Sequence, residues 1–404
     1  MQAPIPHKWR TLLLLALAEL LGMATWLSAS AVVPALTQSW NLSESGQAWL
    51  TISVQIGFVA GAFGSAVLNL PDRIPSRGLF TVSALLAALS TALIAWLARG
   101  LALALPLRFL TGLFLAGVYP VGMKIMATWT KEDRGQAIGL LVGALTVGTA
   151  SPHLLNAFGG VGDWRPVLYL AAASAAVGGT LAAVFVTEGP YHSKSPPFNW
   201  KFVGETLRQR DVFLANLGYL GHMWELYAVW AWAPVFLLAA FDLAGVGQPW
   251  ASLAAFAMIG IGGAGSLLAG RLADRFGRTT LTIASLVISG LCSLGIGLLY
   301  GGHPALLLGV CLVWGFAVVA DSAQFSACVS ELSRPDYIGT ALALQTSLGF
   351  LLTIATIRLL PTVERVVTWR WAFAFLALGP AVGVWAMYAL RVSPAARKLA
   401  GGRG

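Results

Sequence analysis

A chain of 404 residues that is 57% hydrophobic and only 10% charged, with a mean hydropathy of +0.77, is far too apolar for a soluble domain and has the composition of a polytopic membrane protein. The net charge of +9 would suit a nucleic-acid binder, but the basic residues lie scattered between apolar runs instead of forming a stripe, which argues for membrane orientation and against a nucleic-acid partner. Cys292, Cys311 and Cys328 sit in or near apolar runs with neither a metal-ligand spacing nor a disulfide framework, so they read as packing residues, and no metal or cofactor is expected.

In chain order, His7, Lys8 and Arg10 precede an apolar run that reaches about Pro34, too long for the core of a cleaved signal peptide and therefore the first membrane span. Apolar runs bounded by charge, Pro or Gly place the first six spans at 11–35, 47–70, 78–98, 102–126, 135–158 and 165–186. A polar stretch from Thr187 to Asp211 follows, carrying Pro190, Pro196 and Pro197. The second six spans fall at 212–241, 249–273, 279–300, 304–332, 337–360 and 370–391. The expected fold is an all-α integral membrane protein of twelve helices in two pseudo-symmetric six-helix bundles, residues 1–188 and 212–404, joined by a cytoplasmic linker at 189–211. Such a chain has no room for a large soluble domain.

Both termini then lie on one face. That face holds Lys8, Arg10, Arg73, Arg77, Lys124, Lys131, Arg134, Lys194, Lys201, Arg208, Arg210, Arg271, Arg275, Arg278, Arg334, Arg391, Arg397, Lys398 and Arg403, against Arg99, Arg165, Arg365 and Arg370 on the other. The asymmetry predicts cytoplasmic termini. Close helix contacts are expected where small residues recur at four-residue spacing, at Gly57 with Gly61 and at Gly139 with Gly143.

Ionisable residues inside the spans are costly and call for a reason. Glu19 falls in the first span, Arg108 in the fourth, His222 and Glu225 in the seventh, and Asp321 in the tenth. His222 and Glu225, three residues apart, share a helix face. A carboxyl group in a cavity of low dielectric can exchange protons near neutral pH, which makes Glu225 the first proton-carrier candidate, tuned by His222, with Asp321 and Glu19 behind it. The bland alternative is a protonated Glu225 bonded to a neighbouring helix. Arg108 could clamp a carboxylate with its planar fork or reach out to the surface, and Glu19 could pair with an arginine across the cavity or likewise reach out to the surface. Arg358 reads as reaching the outer surface, and His153 as satisfying carbonyls freed by Pro152. The seventh span is rich in aromatics, of which Trp224 and Tyr227 flank Glu225 and are candidate substrate-lining residues.

The densest charge lies between the eighth and ninth spans, where Gly270 to Arg278 reads Gly-Arg-Leu-Ala-Asp-Arg-Phe-Gly-Arg. Two glycines, Asp274, Arg275 and Arg278 in a tight inter-span loop resemble, at every signature position, the loop motif of the major facilitator superfamily of secondary transporters. A weaker copy, Asp72, Arg73 and Arg77 after the second span, together with the match of Gly61-Ala-Phe-Gly-Ser to Gly262-Gly-Ala-Gly-Ser, is the parallel repeat such a family implies.

That resemblance implies alternating access, in which the two bundles rock about a central site lined by the first, fourth, seventh and tenth helices. It also implies that Asp274 of the switch loop (Gly270, Asp274, Arg275, Gly277, Arg278, with Asp72 and Arg73 in the weaker copy) meets the start of the fifth span near Arg134 and Gly135. Arg108-x-x-x-Gly112 is similar to the fourth-helix motif of proton-coupled members, where the arginine takes part in proton transfer. Gly139, Gly148, Ser151 and Pro152 resemble in part the motif of antiporters.

The reading is a secondary transporter of a small organic solute, an anion by preference, coupled to protons. It would act as a monomer in a bacterial inner membrane. The rival is a proton-driven exporter of drugs or metabolites. A membrane enzyme would need a nucleophile with its base, a metal-binding run or a phosphate loop, and the sequence carries none.

Overall fold

A computed structural model describes residues 7–130, 134–159, 163–191, 199, 202–204, 208–334 and 338–404, the side chains of 134 and 159 excepted. Among them lie sixteen α-helices and no strand. The first half comprises α1 (Lys8–Met23), α2 (Val33–Trp40), α3 (Glu44–Leu68), α4 (Leu70–Arg73), α5 (Ser76–Leu97), α6 (Leu101–Leu115), α7 (Tyr119–Trp129), α8 (Arg134–Gly159) and α9 (Arg165–Phe185). The second comprises α10 (Arg210–Leu243), α11 (Gln248–Phe276), α12 (Arg278–Gly295), α13 (Pro304–Ala320), α14 (Ser322–Leu332), α15 (Ile338–Ala372) and α16 (Leu378–Arg391). Most of the linker expected at 189–211, with Lys194 and Lys201, lies outside the described residues, as does Lys131.

Eleven helices among the described residues are long and apolar enough to cross a membrane, counting α6 with α7 and α13 with α14 as one each. The twelfth crossing is α1 with α2, and here the expectation of a continuous helix over 11–35 is corrected. The Thr25 hydroxyl donates to the Gly22 carbonyl (3.2 Å) and the Ser28 hydroxyl to that of Thr25 (2.9 Å), side-chain bonds that compete with the helix ladder. A 3-10 turn at Ser30–Val32 then leads into α2, whose Pro34 sits in the first turn. The fourth span breaks likewise at 116–118 ahead of Pro120, and the tenth at Asp321. The eleventh helix, expected to end at 360, continues to Ala372 through one non-helical residue, Thr368 (φ 59°). Its 35 residues would measure about 52 Å, so the charged end with Glu364, Arg365 and Arg370 stands beyond a hydrocarbon core of about 30 Å.

The halves meet along two helix pairs, α8 with α11 and α3 with α15. Glycine permits the first. A Cβ built on Gly139 would lie 3.0 Å from the Ser266 carbonyl oxygen, and one on Gly143 3.0 Å from that of Gly263. Within the first half, Gly57, Gly61 and Gly112 bring α3 against α6 so closely that any Cβ there would overlap a main-chain oxygen. Chain entry and exit share one face, called here the loop face. On it the C-terminal segment covers the 276–279 turn, with the Thr279 amide donating to the Gly404 carbonyl (3.3 Å) and the Ala400 amide to Glu331 (3.0 Å).

Candidate functional site

Between the halves lies a cavity of about 400 Å³. On α10, Tyr219, Met223, Leu226, Tyr227 and Trp230 line it, the 4-3-1-3 spacing of one helix face. On α8, Ile138, Val142, Leu145 and Thr146 do the same, while α7 gives Tyr119 and Met123, and α15 gives Leu342, Thr346 and Phe350. Serines 322, 326 and 330 of α14 form the more polar wall. Tyr119 of the first half and Tyr219 and Tyr227 of the second bring three phenols to the same cavity.

Toward the loop face, the cavity wall contains Arg278, Gln324 and Glu331. Arg278 grips Glu331 with Nε (3.0 and 2.9 Å to the two oxygens) and Nη2 (2.6 Å), and its Nη1 donates to Gln324 Oε1 (2.8 Å). Its charge is therefore committed. At the opposite end the cavity closes on rings from both halves. Trp26 and Phe58 stand 4.9 Å apart, Phe58 and Phe350 4.7 Å, Tyr227 and Phe350 5.1 Å, and Trp26 and Tyr227 5.9 Å. On the far face, Arg365 pairs with Glu44 (3.1 Å), Arg358 donates to the Ser45 hydroxyl, and Asn156 Nδ2 donates to Ser252 Oγ (3.1 Å). All three contacts join one half to the other. Arg358, expected simply to reach the surface, is part of this closure.

Arg108 is fully buried and stands apart from both sequence expectations. Its Nε donates to the Leu50 carbonyl (3.1 Å), Nη1 to that of Thr25 (2.9 Å), and Nη2 to that of Trp26. The guanidinium thus joins the carbonyls of Thr25 and Trp26, just past the end of α1, to that of Leu50 in α3, a cation beside a helix C-terminus. It neither lines the cavity nor reaches the surface.

His222, Glu225 and Asp321 come together on the side of α10 turned away from the cavity. Glu225 accepts from the Ser289 hydroxyl of α12 (2.5 Å) and from Trp314 Nε1 of α13 (2.7 Å). His222 Nδ1 lies 2.9 Å from Asp321 Oδ1, and its Nε2 has no hydrogen-bond partner among the described residues. Trp224 also faces its own bundle, donating to the Phe375 carbonyl (3.4 Å), so of the aromatic pair only Tyr227 is in the cavity wall.

Glu19 differs from all of these. It is 0% exposed, neither oxygen has a hydrogen-bond partner among the described residues, and no arginine meets it. A Cβ on Gly122 would lie 2.8 Å from its Oε2, which sets the carboxyl against α7, within electrostatic range of the cavity residue Tyr119. Ser289, Trp314, Glu331, Trp26 and Phe58 carried no sequence signal, being ordinary residues whose role comes from their neighbours. Only the run of Thr25, Ser28 and Ser30 hints at the opened first helix.

In the switch loop, Gly277 adopts φ 93°, which favours glycine, and ends α11. The Asp274 carboxylate lies at the start of α8, its Oδ2 2.9 Å from a Cβ built on Gly135, while Gly270 leaves room for the Gly135 carbonyl. An anion at a helix N-terminus is favoured by about 0.3–1 kcal/mol. Asp274→Asn is accordingly expected to shift the ratio of conformers away from this contact by about two- to fivefold. Ala323→Cys in the cavity should then react faster with an impermeant thiol reagent from the loop face, and an unchanged rate would contradict the role. Arg275 lies over the Phe276 ring at 5.2 Å. In the weaker copy Asp72 pairs instead with Lys124 of its own half, and Arg73 lines a separate open groove on the loop face.

Comparison with known proteins agrees with this architecture. The family model described as Major Facilitator Superfamily matches residues 14–357. A protein of Bacillus subtilis (strain 168) named as a niacin/nicotinamide transporter, NiaP, is 28% identical over 53% of this chain. A Pseudomonas aeruginosa protein named 4-hydroxybenzoate transporter PcaK is 29% identical over 41%. The matches span 55% and 37% of those relatives' own lengths. Among solved structures, the proton:xylose symporter XylE superposes with a TM-score of 0.73 at 16% identity, over 95% of each chain. The nucleoside transporter NupG gives 0.68 at 15%, over 94% of this chain and 99% of that one. At these identities the likeness is one of fold. The match to the family model over most of its length, on a two-bundle helical fold with a cavity between the halves, makes this chain a member of the Major Facilitator Superfamily of membrane transporters.

Proposed function

We propose that the chain carries a small planar aromatic acid or its amide, together with a proton, by alternating access across a bacterial inner membrane, with both termini in the cytoplasm. The observation that carries this reading is the ring-lined cavity. Tyr219, Tyr227, Trp230 and Phe350 offer faces and edges on which a flat ring can stack, while phenol and serine hydroxyls can donate to a carboxylate or amide oxygen. Arg108 and Arg278 are both spent on protein acceptors, so a guanidinium clamp for a free carboxylate is disfavoured. The names of the NiaP and PcaK relatives point to the same chemistry, a carboxylated or amidated aromatic ring.

Proton coupling is assigned first to Glu19. It is a buried carboxyl without a partner, beside Tyr119 and on the first helix, where a change between dry and wet surroundings would let it take up or release a proton. Glu225, with His222 and Asp321, forms a second buried group that rocking of α10 would disturb. One proton with each monocarboxylate makes the cycle electrically neutral.

The test is equilibrium binding of labelled nicotinate, nicotinamide and 4-hydroxybenzoate to purified protein. Trp230→Ala is expected to weaken binding of whichever is bound by about 5- to 30-fold, a stacking contact with its ring burial being worth about 1–2 kcal/mol. Trp224→Ala, outside the cavity, should leave it within about twofold. Equal losses in both variants, or binding of lipophilic cations instead, would favour the exporter.

A further inference from the structure

His153 is one helical turn and a half from the far-face end of α8 and is 1% exposed. Its Nε2 has no hydrogen-bond partner among the described residues. It lines a space of about 20 Å³, separate from the large cavity and of a size for one water, shared with Ser30, Asn156, Val235, Gln248 and Ser252. These residues come from both halves: Ser30 from the turn before α2 and Asn156 from α8 on one side, Val235 from α10 with Gln248 and Ser252 from α11 on the other. The space therefore lies on the seam that must part if the cavity is to open to the far face, beside the Asn156 to Ser252 bond that crosses it.

Every element around the imidazole presents neutral groups to it. The turn and α2 give Ser30, Ala31 and Pro34, α10 gives Pro234, Val235 and Leu238, and α11 gives Gln248, Ala251 and Ser252. Of the other helices packed on α8, α1 and α7 carry Glu19 and Tyr119 by Gly122, and α14 carries Glu331 by Arg278. At the start of α9, Arg165 stacks on Trp164 and pairs with Asp163 at the rim. Among the described residues, no charged side chain lines this space. A neutral imidazole fits such a place with one nitrogen bridged by water or left as a weak acceptor. An imidazolium there would be a sealed charge with no counter-ion, a state that proteins avoid by letting in water.

We propose that His153 is a proton-operated latch of the far-face seam: neutral, it stays sealed between the halves, and protonated, it drives the seam open. The inference rests on the alternating-access reading with this face outward, and it adds a second proton-sensitive group to the carrier carboxyl. Acid outside would then favour the conformer that receives solute and proton together.

The test reads the seam directly. Spin labels on Asp163→Cys and Leu243→Cys, one on each half, in a background with Cys292, Cys311 and Cys328 replaced by alanine, report the far-face distance by double electron–electron resonance. Between about pH 8 and about pH 5, where a histidine takes up its proton, the wild-type background is expected to gain at least about threefold in the long-distance population. His153→Gln, neutral throughout, is expected to keep less than half of that gain, the remainder belonging to the carrier carboxyl, and His153→Arg to be open at both ends. A His153→Gln seam that opens in acid as fully as the wild-type background, or a wild-type seam that ignores pH, overturns the latch. Should His153→Arg fail to fold, the glutamine variant decides alone. Solute uptake found to be independent of protons, with the seam still answering to His153, would remove the proton-coupled reading and leave the latch standing.

Discussion

Glu19→Gln is expected to abolish proton-driven accumulation of solute, by about 50-fold or more, while counterflow of preloaded solute continues within about threefold of wild type. The glutamine fills the same volume and keeps a carbonyl oxygen near Gly122, so the fold and the cavity wall should survive. What it removes is the one carboxyl group of α1. Exchange needs rocking of the loaded protein alone, whereas accumulation needs the empty protein to return without its proton, and a permanently neutral residue cannot distinguish the two states. Glu225→Gln discriminates between the candidate carriers. Glu225 accepts two hydrogen bonds away from the cavity, so its variant should cost stability through a mismatched amide donor, about 1–3 kcal/mol, before it costs coupling. Loss of counterflow together with accumulation in Glu19→Gln would mean that Glu19 serves the fold or the solute site instead.

Arg108→Leu should be the most damaging substitution for the fold. The main-chain carbonyls of Trp26 and Leu50 lose the guanidinium donor and that of Thr25 keeps only the Ser28 hydroxyl, all at a buried site. Leaving a buried acceptor short of its donor costs about 1–3 kcal/mol in each case. In detergent the expected result is a fall in Tm of about 10 °C, with little monodisperse protein recovered. Arg108→Lys keeps the charge but reaches only part of the fan of carbonyls, so an intermediate fall is expected. A substrate clamp would behave differently: Arg108→Leu would be as stable as wild type and would lose affinity only for carboxylated solutes. Melting curves with and without nicotinate separate the two.

The sequence makes the switch loop and the span edges legible because charge and glycine stand out in an apolar chain, and because the membrane imposes a length on each run. It does not reveal the breaks at 24–32, 116–118 and Asp321, since a hydropathy pattern averages over the few hydroxyls and prolines that open a helix. Helix periodicity correctly groups His222 with Glu225. Which side of α10 looks into the cavity is beyond it, because both sides carry rings: Tyr227 and Trp230 on one, Trp224 on the other. Arg108 is the instructive case. Its partners are carbonyl oxygens, which every residue has, so no residue type in the sequence could announce them. Glu44 with Arg365 is invisible for a related reason, as two rim charges far apart in the chain have many possible partners until the halves are placed.

Proton movement in proteoliposomes is the most direct measurement. Purified protein is reconstituted around a trapped pH-sensitive dye and challenged, with no imposed potential, with nicotinate, nicotinamide, 4-hydroxybenzoate, an aliphatic monocarboxylate and a lipophilic cation. The expected result is acidification of the lumen by an aromatic carboxylate, little by the aliphatic one, and none by either in Glu19→Gln. Proton movement driven only by the cation, or equal response to aliphatic and aromatic acids, would contradict an aromatic-acid symporter with a ring-lined site.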